Sequence, residues 1–134
     1  KGAAWSLPVL TVAAAAPTLA ASPVEPVDPS TYTLEAVSST RCLRAPHWVY
    51  TLRLRVTPEP SPSVPIVVSR MTLNQYGAGR DAAHYTQPVH EGGGVYVLEA
   101  AFSQAHPERR PVAHLSIDGH KRTLRWGDPT SGGC

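Results

Sequence analysis

The sequence is short of charge and short of recognisable catalytic chemistry. Charged side chains make up 16% of the 134 residues, where a quarter is usual. Basic residues number 12 and acidic residues 10, giving a formal net charge of +2. That balance argues against a disordered polyelectrolyte, and by itself it implies no nucleic-acid partner. Nearly all the cations are arginine, a skew that resembles GC-rich coding bias more than a binding signal. Helical periodicity is almost absent, so a coiled coil is disfavoured. There is no collagen repeat and no series of long apolar runs, which disfavours a multi-span membrane protein. The length suits one modest domain with an extension.

The familiar catalytic patterns are missing too. No Gly-x-Ser-x-Gly elbow occurs, and the serines cluster in proline-rich stretches. Gly77-Ala78-Gly79-Arg80 has the composition of a phosphate loop, but no Gly-Lys-Ser/Thr follows it. The acidic residues are scattered, and Glu91 with Glu99 makes a glycosidase pair only by arithmetic. His84 and His90 flank a five-residue stretch, with Glu91 next. His114 and His120 straddle Asp118-Gly119, and a hairpin there is expected to bring them near one another. A zinc or copper site needs three or four close ligands, and no His-x-His, His-x-x-x-His or Cys-x-x-Cys spacing supplies them. The expectation is a protein without catalytic residues, metal or cofactor.

What is present is a division into three regions. Residues 2–24 carry no charge at all. Lys1 precedes an apolar stretch that ends in small residues, the pattern of a secretory signal, with a cut expected before Ala21. Gly2 to Val9, Ala13 to Ala16 and Ala20 to Ser22 resemble the export signals of secreted proteins from high-GC Gram-positive bacteria. The resemblance covers about the first 22 residues and implies export, not an activity. Residues 1–21 are therefore read as an apolar export or assembly segment. Residues 22–30 repeat proline at 23, 26 and 29 and read as an extended spacer. Residues 31–134 read as a head domain.

The head reads as strands. Between 47 and 57, Trp48, Tyr50, Leu52, Leu54 and Val56 alternate with mostly polar residues, the period of a half-buried strand. Further strands are expected over 32–37, 66–73, 84–90 (interrupted by Pro88), 95–102, 111–117 and 120–126. Residues 58–65 and 75–83 are expected as loops. Asp118-Gly119 predicts a type I′ hairpin turn, which needs positive φ at both residues. Six to seven short strands imply an all-β, immunoglobulin-like β-sandwich with an apolar N-terminal extension.

Cys42 and Cys134 are the two cysteines. In an exported chain they would most simply pair, tying the C-terminus to a loop after the first strand. Closing a loop of about 93 residues would stabilise the fold by up to ~4.6 kcal/mol in the chain-entropy model. An intermolecular bridge, an unpaired terminal thiol and an engineered handle at Ser-Gly-Gly-Cys are the alternatives.

Two surfaces could carry function. Arg53, Arg55, Arg122 and Arg125 could form an anion-binding surface for a cell-surface polymer, with solubility and edge protection as the competing account. The apolar segment, with Trp5, Leu7, Val9, Leu10, Val12, Ala14 and Ala16, could be a self-assembly peg. A retained peg needs burial, and burial in the next copy gives a head-to-tail homopolymer. As a strand it would follow the plan of donor-strand pili, which it resembles in plan alone; a helix is the other geometry. The sequence thus predicts a secreted, non-enzymatic subunit of an extracellular filament, meeting the membrane only during export and binding no nucleic acid. The alternative is a monomeric secreted β-sandwich that binds a cell-surface or extracellular ligand, with residues 1–20 a cleaved signal.

Overall fold

Alternation along residues 47–57 produces the central strand of the fold. The computed structural model describes residues 28–75, 78–103 and 109–132. Asp28 caps a 3-10 turn at Pro29–Thr31 by accepting from the Ser30 backbone N–H. That hydrogen bond, more than any other influence, holds the Asp28 carboxyl below its ordinary pKa. The strands are β1 (Thr33–Arg44), β2 (His47–Thr57), β3 (Ile66–Gln75), β4 (Ala78–Asp81), β5 (His84–Tyr85), β6 (Val89–Gly92), β7 (Val95–Phe102), β8 (Arg110–Ile117), β9 (His120–Arg125) and β10 (Thr130–Ser131).

They form two sheets. Sheet A runs β10-β1-β2-β7-β5, with β6 also on β7, and sheet B runs β4-β3-β8-β9. In immunoglobulin lettering this is ABED facing C′CFG, with β5 and β6 sharing the D position. The fold is an all-β, immunoglobulin-like sandwich.

The core lies between the sheets, where period-two alternation points one row of each strand inward. Tyr50, Leu52, Leu54 and Val56 from β2 meet Leu98, Ala100 and Phe102 from β7. Val68, Met71 and Leu73 from β3, with Ala113, Leu115 and Ile117 from β8, close it from sheet B. Tyr50 and Phe102 pack edge to face, ring centroids 5.4 Å apart, the geometry that aromatic quadrupoles favour. Trp126, just past β9, sends its indole N–H across to the Arg53 carbonyl of β2 at 2.9 Å. Asp118 and Gly119 take φ of 50° and 82°, as the hairpin turn requires.

Several expectations need correction. Cys42 does not lie in a loop: β1 continues to Arg44, and Cys42 sits in it opposite Val49. Ser38, Ser39 and Thr40 break the apolar alternation without breaking the ladder, so the strand's second half was invisible. Residues 78–81 form β4 on β3 and not a loop. The single strand expected over 84–90 is two short ones, because Pro88 offers no N–H to a ladder. The described residues therefore hold ten strands in place of six or seven. The last residues of the expected spacer, 29–30, belong to the 3-10 turn.

Leu52 is fully buried between the sheets. Leu52→Ala should cost about 2–5 kcal/mol, the usual penalty for a buried leucine truncated to leave a cavity. Thr123→Ala, on an exposed outward position, should stay within about 0.5 kcal/mol. Urea denaturation of both variants checks this, and equal midpoints would contradict the assigned core.

Candidate functional site

A proline-walled cleft opens at one end of the sandwich. The connection from β2 to β3 contains Pro58, Pro60, Pro62 and Pro65. Each fixes φ and withholds an N–H, so the loop is a stiff wall that cannot join either sheet. Val64 N–H closes a turn on the Ser61 carbonyl at 3.0 Å. Facing the loop are β6 and β7, where His90 and Tyr96 are cross-strand partners. Their rings lie 5.0 Å apart.

The Gly92–Gly94 turn draws the two walls together. Val56 N–H donates to the Gly94 carbonyl at 2.8 Å. Gly94 has φ of +76°, and a Cβ there would lie 2.6 Å from the Val56 carbonyl oxygen. Only glycine tolerates both that conformation and that approach. The result brings Glu59 to His90, Oε1 to Nε2 at 2.9 Å.

The cleft encloses about 500 Å³, within the range of small-molecule sites. Pro60, Pro62, Val64, Ile66 and Pro88 give it apolar walls. Glu59, Ser61, His90 and Tyr96 supply the polar groups. Glu59 and His90 are each 49% exposed, so their pairing adds little stability. Burial, and after it the Glu59 charge, raises the Tyr96 phenol above its ordinary pKa of 10.0. The site thus offers a carboxylate acceptor, an imidazole and a neutral phenol donor over an apolar floor.

The sequence-predicted residues fall elsewhere. Arg53 and Arg55 stand on the outward face of β2 and are taken up by carboxylates. Arg53 contacts Glu91 through two nitrogens, at 2.9 and 3.4 Å, and Arg55 meets Glu35 at 2.6 Å. Arg122 and Arg125 lie on β9 of the other sheet. Arg122 donates to the Tyr32 carbonyl at 2.6 Å, while Arg125 is exposed. The four arginines do not form one surface.

The histidines also separate. His84 packs against His47, centroids 5.5 Å apart, and not against His90. His120 faces Ile117 and His114 faces Thr123, so an odd offset puts the two histidines on opposite faces of the hairpin. No metal-ligand cluster occurs among the described residues. Trp5, Leu7, Val9, Leu10, Val12, Ala14, Ala16 and Cys134 lie outside the described residues. No protein-family model matches the chain, and no curated protein or solved structure matches it either.

The raised Tyr96 pKa has a definite sign. The folded state prefers the neutral phenol, so its contribution is complete below the unfolded pKa and is lost as pH rises through the folded one. The denaturant midpoint should fall as pH climbs past about 10, and Tyr96→Phe should flatten part of that fall. Glu59→Gln should bring the Tyr96 titration part-way back toward 10.0. Ultraviolet titration against the Tyr96→Phe variant measures this; an unmoved titration would remove Glu59 from the site's electrostatics.

Proposed function

We propose that this chain is an exported, non-enzymatic immunoglobulin-like domain that binds an extracellular ligand in the proline-walled cleft. The cleft is the observation that supports the reading. Glu59 and His90 already hydrogen-bond one another, so the polar groups of the cleft are held in place to meet a hydroxylated ligand. Its prolines and aliphatic side chains suit the C–H face of a molecule whose other face bears hydroxyls. A neutral mono- or disaccharide has that chemistry and fits the volume. The charge-free residues 2–24, in the pattern of an export signal, support secretion to the cell surface or beyond it.

A Cys42–Cys134 bridge belongs to the same reading. β10 runs parallel to β1, with Thr40 opposite Thr130 and Arg41 opposite Ser131. Gly132 N–H then donates to the Arg41 carbonyl at 2.9 Å. The chain is thereby led alongside Cys42 two residues before Cys134. No free cysteine occurs among the described residues.

The filament reading draws on a different observation. β10 pairs only with Thr40 and Arg41, so the outer edge of β1 from Thr33 to Ser39 has no strand beside it among the described residues. Val9 to Ala16 of another copy is of matching length. The sandwich core is already filled by the chain's own strands, however, so a donated strand would extend an edge and complete nothing. For that reason the binding domain is the leading reading.

The test is a nuclear magnetic resonance titration of the full chain with neutral mono- and disaccharides. Shifts should gather at Glu59, Ser61, His90 and Tyr96. Tyr96→Ala should weaken binding about tenfold, or ~1.4 kcal/mol. Shifts scattered over both sheets, or none at millimolar sugar, would reject the cleft as the site. Filaments seen by electron microscopy and lost on Val12→Asp would favour the second reading instead.

A further inference from the structure

Arg44, Arg53 and Arg55 of sheet A each face a carboxylate, but one cationic stretch of sheet B does not. Along β9 the outward residues are Lys121, Thr123 and Arg125, each opposite a residue of β8: Ser116, His114 and Val112. Lys121 and Arg125 are exposed and have no carboxylate partner among the described residues. Their neighbours differ in this respect: Arg70 is held by Asp81 at 2.8 Å and Arg110 by Asp128 at 3.0 Å. Beside Lys121, on the side of Thr123, lies a shallow concavity of about 410 Å³, and Arg125 stands outside it, two residues beyond Thr123 on the same strand face. The lining of the concavity includes Ser69, His114, Ser116, Lys121, Arg122 and Thr123 and no acidic side chain.

The spacing carries the inference further. Four residues along a strand span about 13 Å, so Lys121 and Arg125 can hold two separated anions. His114 adds a third charge between them when protonated, and the Ser116 and Thr123 hydroxyls donate to oxygen acceptors. Among the described residues, the outward positions of β8 and β9 hold no tryptophan, tyrosine or phenylalanine on which a base could stack. Single-stranded nucleic acid draws much of its affinity from such stacking.

We propose that the outer face of sheet B binds a polyol phosphate polymer, a flexible chain of phosphodiesters joined by hydroxylated carbons. Lys121 and Arg125 engage two separated phosphates of one chain, and the hydroxyls between them meet the polyol. This surface is independent of the cleft and does not require it.

The experiment uses the full chain and three probes: synthetic poly(glycerol phosphate), a single-stranded oligodeoxynucleotide of equal phosphate number, and uncharged poly(ethylene glycol). Calorimetric titration across a salt series reads the affinities. Poly(glycerol phosphate) should bind more tightly than the oligonucleotide and weaken with salt, and poly(ethylene glycol) should not bind. Lys121→Gln with Arg125→Gln should lower its affinity at least tenfold, whereas Arg53→Gln should change it less than twofold. All variants should melt with the parent, since every substituted side chain is on an outward face. Unchanged binding by the double variant, or no binding at physiological salt, overturns the proposal. Tighter binding of the oligonucleotide overturns the assigned partner.

Discussion

The structure depends on one row of side chains: the inward face of β2. Tyr50, Leu52, Leu54 and Val56 are at most 1% exposed, and β2 is paired along its length on both sides, by β1 and by β7. A residue slip in either ladder would turn that row toward water and arginines toward the core. Burying each large aliphatic side chain is worth about 2 kcal/mol, so register is strongly specified. Sheet B then packs against a surface already fixed. The Trp126 indole on the Arg53 carbonyl joins the two sheets where β1 bulges between Ala36 and Ser38.

From that constraint the position of the cleft follows. β2 must end where its alternation ends, at Thr57, and the proline series cannot extend either sheet. The loop therefore stands away from the core as a wall. On the facing side, the three glycines let β6 return to β7 and let the turn touch the end of β2. Glu59, His90 and Tyr96 converge because a stiff loop and a tight turn leave them nowhere else to go. The outer faces follow from the same alternation, which puts arginine and threonine on the strands' solvent side. Whether such a cation is open to a ligand depends on which strand lies next to it. β1 and β6 supply carboxylates to β2, but on the outward face β8 offers β9 one hydroxyl, a histidine and a valine.

Much of the fold was legible because burial writes itself into period two. The strands at 47–57 and 95–102 and the Asp118-Gly119 turn were readable from pattern alone. The second half of β1 was not, since Ser39 and Arg41 occupy inward positions that pattern reading assigns to apolar residues. β4 and β10 are too short to show a period. The cleft was less legible still. Tyr96 was one residue of the strand expected over 95–102 and His90 one histidine of a pair with His84, while Glu59 is 31 residues from His90 in sequence. Ion pairing was equally hidden: Arg53 and Arg55 resembled a binding surface until Glu91 and Glu35 were found beside them.

The parallel placement of β10 beside β1 has a mechanical consequence. Residue 28 lies just before the start of β1, while residue 132 lies beside its far half, so tension between them would run along the strand axis. Loaded that way, the Thr40–Thr130 and Arg41–Ser131 pairs and the Gly132–Arg41 hydrogen bond are sheared together and not unzipped one at a time. The first resistance therefore comes from the short seam between the two strands that carry the load, and the longer β1–β2 ladder behind it is spared until β10 lets go.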